Sequence, residues 1–109
     1  MKPKNPVLSR AIRRITKEWG LSQTELIEIL QISEDQLAHN MDPENKGSRA
    51  GVLLLSAFKS LNTVVGGKQE KAILWLRTHN NHLAGIPIQI MKSDRGLVRV
   101  SRYLDALGV

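Results

Sequence analysis

Several features are missing from this chain of 109 residues. It contains no cysteine, which excludes disulfide bonds and thiolate metal sites and fits a reducing compartment. No apolar run approaches the roughly 20 residues of a membrane-spanning helix, because the dense stretch 52–55 is soon followed by Ser56 and Lys59. The basic N-terminus is not followed by the apolar segment of a secretory signal. We therefore expect one compact unit in the cytoplasm.

Charge is unevenly distributed along the chain, although the net value is +6. Residues 1–19 carry +5, residues 20–47 carry −5 and residues 48–109 carry +6. The net charge indicates a polyanionic partner, but the acidic middle segment would repel one. The three segments therefore predict separate electrostatic surfaces.

Three helices are predicted in the N-terminal part of the chain. The first carries an apolar stripe formed by Leu8, Ile12, Ile15 and Trp19. It ends at Gly20, a second helix begins near Ser22, and a short third helix spans about 33–40. Glu25 and Glu28 fall on the outer face of the second helix, where we expect them to be solvated.

A long helix is predicted from Ser48 or Arg49 to residue 65, where Gly66 and Gly67 end it. Its apolar face is broadened by leucines beyond a single stripe, notably Leu53 and Leu55. This surplus predicts burial in a homodimer, with an overfilled monomer core as the alternative.

Three more helices complete the pattern. Residues 69–78 are apolar almost all round, so we expect a buried helix with Trp75 in the core. A short helix begins near Pro87, and the last helix spans 94–107 with Ser93 as its N-cap. The apolar face of that last helix consists of Leu97, Val100, Leu104 and Leu107. No segment has the alternation of a central strand, so the predicted class is all-α.

The segment LSQTELIEILQISEDQLAHN, residues 21–40, contains two short helices around a tight turn. With its flanks, about residues 8–41, it resembles the helix-turn-helix of Xre-like phage-repressor regulators. The turn usually holds glycine because one residue takes a positive φ, and Gln31 stands there in this sequence.

The resemblance implies that the helix after the turn could enter a DNA major groove. This helix carries Glu34 and Asp35 and no Lys or Arg, which opposes contact with phosphates. The DNA-binding candidates are Ser33, Gln36, His39 and Asn40 for the bases, and Arg10, Arg13, Arg14 and Lys17 for the backbone. The alternative is a helical scaffold whose polar face is only solvated.

The C-terminal half contains several landmarks in a fixed order. A long helix ends at Val65, the segment 75–78 closes the next helix, Gly85 and Pro87 follow, and 94–96 opens the last helix. In this order they resemble the toxin-binding domain of Xre/MbcA/ParS antitoxins. The resemblance implies an all-α fold in which a helix-turn-helix bundle, residues 1–47, continues into a helical toxin-binding region, residues 48–109.

The same resemblance implies an antitoxin whose partner is a RES-type or related toxin that targets NAD. Such antitoxins often form homodimers, cover the toxin's active site and bind operator DNA to regulate their own synthesis. Arg95, Arg99 and Arg102 form one basic stripe opposite the apolar face, and Arg suits bidentate pairing with carboxylates. The expected toxin contacts are Arg95, Arg99, Arg102, Tyr103, Leu107, Gly108 and Val109. On composition alone, a solvated arginine face is the alternative.

Catalytic and cofactor motifs are missing from the sequence. It holds no nucleophile elbow and no phosphate-binding loop, and His79 and His82 lack further ligands at metal spacing. We expect no enzyme, no cofactor and no metal. Two other functions stay open: a helix-turn-helix transcriptional regulator whose C-terminal half only oligomerises, and an adaptor or immunity-type binding protein.

Overall fold

The computed structural model describes residues 6–32 and 46–107, and the elements formed there are helices. They are α1 (Pro6–Trp19), α2 (Gln23–Leu30), α3 (Lys46–Val65), α4 (Gln69–Arg77), α5 (Pro87–Ile90) and α6 (Asp94–Leu107). The predicted all-α class is therefore confirmed. The helix predicted over about 33–40 lies outside the described residues.

Helix α3 is the centre of the fold. It packs most extensively against α6 and also contacts α1, α2 and α4. The apolar stripe predicted for α1 is confirmed, since its four residues are at most 4 % exposed. Trp19 packs against Phe58 of α3 with ring centroids 5.5 Å apart. The core thus joins the N-terminal helices to the C-terminal ones.

Close packing between α1 and α3 depends on Gly51. A Cβ at this position would lie 2.9 Å from Cδ1 of Ile12, which is closer than normal van der Waals contact. The helix itself begins at Lys46, two residues before the earlier of the two predicted starts, Ser48 and Arg49. Burial of Ala50 and Leu54 in the following turns stabilises this longer helix.

Leu53 and Leu55 do not form a separate apolar surface. Both are partly buried and pack against the core of their own chain. The extra apolar area of α3, which the sequence assigned to a dimer interface, is therefore largely buried within the monomer. The large apolar side chains that are exposed among the described residues lie elsewhere: Val52, Val64, Leu74, Ile86 and Leu107.

Left-handed residues end the helices where the sequence predicted. Gly20 has φ +64°, and Leu21 N donates to Thr16 O at 2.9 Å across the end of α1. Gly66 has φ +65° after α3. Gln31 has φ +55°, so the expected left-handed turn after α2 is formed by a residue with a Cβ.

No described helix is by itself long and apolar enough to cross a membrane. Only α3 and α4 taken together reach that length and composition, and they are bent by 114° at the break between them. Their buried side chains, among them Leu54, Leu61 and Leu76, pack into the protein's own core.

Candidate protein-binding surface

Helix α6 is fixed along its inner face and at its start. Its buried face contains Leu97, Val100 and Leu104, each at most 1 % exposed. The Ser93 hydroxyl accepts a hydrogen bond from Gly96 N at 3.1 Å, which confirms the predicted N-cap. Near the other end, Ser60 of α3 donates a hydrogen bond to the Asp105 carboxylate. The outer face of α6 is therefore carried by a well-anchored helix.

Arg95, Arg99 and Arg102, which we call the arginine row, are exposed on this outer face. Arg99 donates from Nη2 to Leu83 O at 2.7 Å, so part of its guanidinium is held by its own chain. Arg95 and Arg102 have no ion-pair partner among residues 6–32 and 46–107. Arg95 also lies in the first turn of α6, where the helix dipole does not favour a cation. Arg99 therefore contributes a hydrogen bond to its own fold, whereas Arg95 and Arg102 form no ion pair with the described residues.

Leu107 does not complete the apolar face of α6 as predicted. It is 47 % exposed, although Leu104 in the same turn is buried, because the helix ends at Leu107. Gly108 and Val109, the other predicted toxin contacts at this end, lie outside the described residues.

Tyr103 is half-buried between two rings. Its centroid lies 6.3 Å from that of Trp75, with nearly parallel planes, and 6.1 Å from that of His82. This stack connects α6 to α4 at the surface of the molecule. The sequence indicated Tyr103 as a contact residue but gave no sign of the two rings beside it.

The prediction that α4 is buried is wrong. Ala72 and Leu76 are its buried residues, whereas Leu74 is 67 % exposed and Trp75 is only partly buried. Helix α4 packs against α1, α3 and α5, and Tyr103 of α6 contacts Trp75, but Leu74 stays exposed to solvent. Because an apolar helix need not have neighbours all round, composition alone could not place Trp75.

Leu74 and Trp75 line an open groove of about 490 Å³. The groove is lined by Val65, Lys71, Leu74, Trp75, Thr78, His79 and Asn80. None of these residues was a predicted contact. The signal that could have found them is the dense Ile73–Leu76 run, which supplies more apolar side chains than one buried face can hold.

Glu25 is not solvated, as the sequence had suggested, but bound to α4. Arg77 donates to both its carboxylate oxygens, Nη1 to Oε2 at 2.7 Å and Nη2 to Oε1 at 2.9 Å. Glu25 Oε1 also accepts from Ser22 N at 3.0 Å in a capping box. Hydrogen bonding to Arg77 lowers the pKa of Glu25 from its usual 4.5 to about 2. This ion pair joins the N-terminal helices to the C-terminal half.

The residues predicted to contact the DNA backbone lie on the outer face of α1. Arg10, Arg13, Arg14 and Lys17 are all exposed, and Arg14 Nε is bonded to Glu18 Oε2 at 2.7 Å. The base-reading candidates Ser33, Gln36, His39 and Asn40 lie outside the described residues. The described part of the chain thus presents a basic helix next to a left-handed turn.

Metal-binding clusters of three or more His, Cys, Asp or Glu do not occur among the described residues. His82 stacks on Tyr103, and His79 lines the groove. These two histidines therefore take part in ring packing and in the groove wall.

Comparison with known proteins gives a match in the C-terminal part of the chain, which carries the arginine row and the groove. No curated protein matches the chain. Residues 60–108 match the family model of the antitoxin Xre/MbcA/ParS C-terminal toxin-binding domain. The match begins at Ser60 within α3 and includes α4, α5 and α6, so it includes the arginine row and the groove. The predicted resemblance is thereby confirmed over residues 60–108, which match the C-terminal toxin-binding domain of Xre/MbcA/ParS antitoxins.

Proposed function

We propose that this chain is an antitoxin that neutralises a protein toxin by binding over the toxin's active site. The observation that carries the proposal is the toxin-binding domain at residues 60–108, whose last helix presents the arginine row on an exposed face. Blocking a site in this way requires a rigid surface and no catalytic group from the blocking protein. The packing of α6 against α3 provides that rigidity.

The partner proposed from the family resemblance is a RES-type or related toxin that consumes NAD or modifies a target with it. Arginines 95 and 102 would pair with carboxylates around the toxin's active-site entrance, since the guanidinium group binds carboxylates in a bidentate manner. Within the cytoplasm, the antitoxin would act as a homodimer in a larger complex with its toxin. Tyr103, Leu107 and the two C-terminal residues would extend the contact along the same helix.

Co-expression with the protein encoded beside this gene tests the proposal directly. We expect that protein to arrest growth when expressed alone, and this chain to restore growth and to elute with it as one complex in size-exclusion chromatography. Failure to bind the neighbouring protein, or binding without restored growth, would contradict the antitoxin function.

The arginine row makes a measurable contribution if it pairs with toxin carboxylates. The double variant Arg95→Glu with Arg102→Glu is expected to weaken toxin binding about tenfold or more in calorimetry, because like charges then face each other. Arg99 is left in place because its bond to Leu83 O supports the fold. The control, Arg13→Glu with Lys17→Glu on α1, makes the same change in net charge and should bind normally. Equal binding by all forms would remove the row from the interface.

Operator binding is a second function, and the exposed basic face of α1 favours it. The variant Arg10→Glu with Arg13→Glu should weaken binding to the gene's own promoter. It should also make the slope of log K against log salt concentration shallower by about 2, because two phosphate contacts are lost. The double variant of Arg95 and Arg102 is the matched control and should retain DNA binding. Absence of any mobility shift for the unmodified protein at low salt would contradict this function.

A further inference from the structure

Helix α4 has one fixed face and one open face. Gln69 Nε2 donates to Glu18 O at 2.8 Å, and Arg77 holds Glu25 and also donates to Gly20 O at 3.3 Å. The helix is therefore tied to the α1–α2 region at both its ends. On its other face Tyr103 contacts Trp75 and Leu74 remains exposed, so this face is held in place and stays open beside Leu74. A surface held in this way is preorganised for binding.

The open face is unusually apolar for a surface. Leu74 is 67 % exposed, and Trp75 forms the adjoining wall of the groove. A tryptophan beside an apolar pocket is the type of residue that dominates the affinity of protein interfaces. Exposed leucine and tryptophan contribute to binding when a partner removes them from water.

The charges around the groove indicate the chemistry of its occupant. Lys71 lines it, and among its described lining residues there is no carboxylate to neutralise that cation. Arg99 lies one helical turn before Tyr103, whose ring stacks on Trp75. An apolar segment that carries carboxylates complements this surface. A second copy of the chain would instead bring another Lys71 and a net charge of +6.

The groove is also continuous with the surface already proposed to bind the toxin. Trp75 belongs to the groove and Tyr103 to α6, and their rings are in contact. A partner bound along the arginine row would therefore reach the groove without a gap between the two surfaces.

We infer that the groove on α4 receives an amphipathic segment of the toxin, with its apolar side chains against Leu74 and Trp75 and its carboxylates beside Lys71. The inference rests on the proposed antitoxin function and adds a second contact to it. Helix α6 would cover the toxin's active site, and the groove would hold a separate acidic segment of the same toxin.

Two substitutions at Leu74 separate the apolar part of this contact from the charged part. Both Leu74→Glu and Leu74→Lys remove the leucine from a position so exposed that the fold should not change. We expect Leu74→Glu to weaken toxin binding at least about tenfold and Leu74→Lys to weaken it less, because only glutamate repels the carboxylates. Val52→Glu is the matched control, since Val52 is 57 % exposed on α3 and does not line the groove. Thermal unfolding of each variant confirms that it is folded.

Fluorine NMR reports on the groove without any substitution in it. The chain has two tryptophans, and Trp19 is only 2 % exposed. In 5-fluorotryptophan-labelled protein mixed with unlabelled toxin, the Trp75 resonance should shift while the Trp19 resonance stays in place. The variant Trp75→Phe assigns the two signals.

The outcomes distinguish this inference from the proposed function. A complex that forms normally with Leu74→Glu and leaves the Trp75 resonance unshifted overturns the groove assignment and leaves the antitoxin function standing. Equal losses for Leu74→Glu and Leu74→Lys overturn the acidic chemistry of the occupant. A free chain that is dimeric and becomes monomeric with Leu74→Glu would show a second copy in the groove. If the unmodified protein binds no toxin, the proposed function and this inference both fail.

Discussion

Replacing Gly96 by alanine is expected to lower the free energy of unfolding by about 3 kcal/mol or more. A Cβ at this position would lie 1.8 Å from the carbonyl oxygen of Ile90 and 2.7 Å from the Ser93 hydroxyl. Overpacking costs about 1–3 kcal/mol where side chains can move aside. The Ile90 oxygen is part of the backbone, so α5 and α6 would have to separate.

Chemical or thermal unfolding of the Gly96→Ala protein measures this effect. For a domain of this size, each kcal/mol corresponds to a fall in Tm of roughly 4–8 °C. Gly67→Ala is a suitable control because Gly67 has φ +76° but no atom within 4 Å of a built Cβ. It should cost about 1 kcal/mol from backbone strain alone. A Gly96→Ala protein no less stable than the Gly67→Ala protein would contradict the close packing of α5 and α6.

The contact at Gly96 also matters for the proposed function. Gly96 lies next to Arg95, and the close approach to Ile90 sets how α6 leaves the short helix α5. The sequence identified 94–96 only as a landmark of the family resemblance. The structure supplies the physical reason for glycine: the chain folds back on itself so tightly that no side chain fits.

Features encoded locally were predicted from the sequence. The end of α1 at Gly20 and the cap at Ser93 both depend on residues within one helical turn. The apolar stripe of α1 likewise follows from spacing within one helix. Short-range steric and hydrogen-bonding rules are sufficient for such features, because no distant partner decides them.

Features that depend on distant partners were not predicted. The outer face of α4 follows the same apolar composition as its inner face, so the exposure of Leu74 is decided by which neighbours α4 has. Leu107 continues the periodicity of α6 but lies beyond the elements that cover it. The pair Glu25–Arg77 joins residues 52 positions apart, which no spacing rule connects.

That ion pair leads to the second large effect. Replacing Glu25 by alanine is expected to lower the free energy of unfolding by about 2 kcal/mol, between the value of an exposed pair and that of a buried one. The Glu25 side chain is 15 % exposed and that of Arg77 is 40 % exposed, so the arginine left behind remains partly solvated. The variant also loses the capping box that Glu25 forms with Ser22.

Acid should remove the charged part of this stabilisation. The pKa of Glu25 is about 2 in the folded protein, below its ordinary 4.5, so folding favours the ionised carboxylate. The stabilisation is complete above about pH 4.5 and decreases as the pH falls towards 2. Glu25→Gln isolates this contribution, because glutamine keeps the size of the side chain and can still cap α2. The stability difference between the native chain and Glu25→Gln should therefore narrow between pH 4.5 and pH 2.

Glu28→Gln provides the matched control for that titration. Glu28 lies on the same helix, its side chain is 46 % exposed, and it forms an ion pair with Lys92, whose Nζ is 3.6 Å away. Such an exposed pair contributes at most about 1 kcal/mol. Urea unfolding at several pH values compares the two variants, and equal effects at neutral pH would mean that Arg77 does not hold Glu25 in solution.

Because Arg77 ends the helix that carries Trp75, a weakened pair should also loosen the groove wall. Glu25→Ala is therefore expected to reduce toxin binding as well as stability.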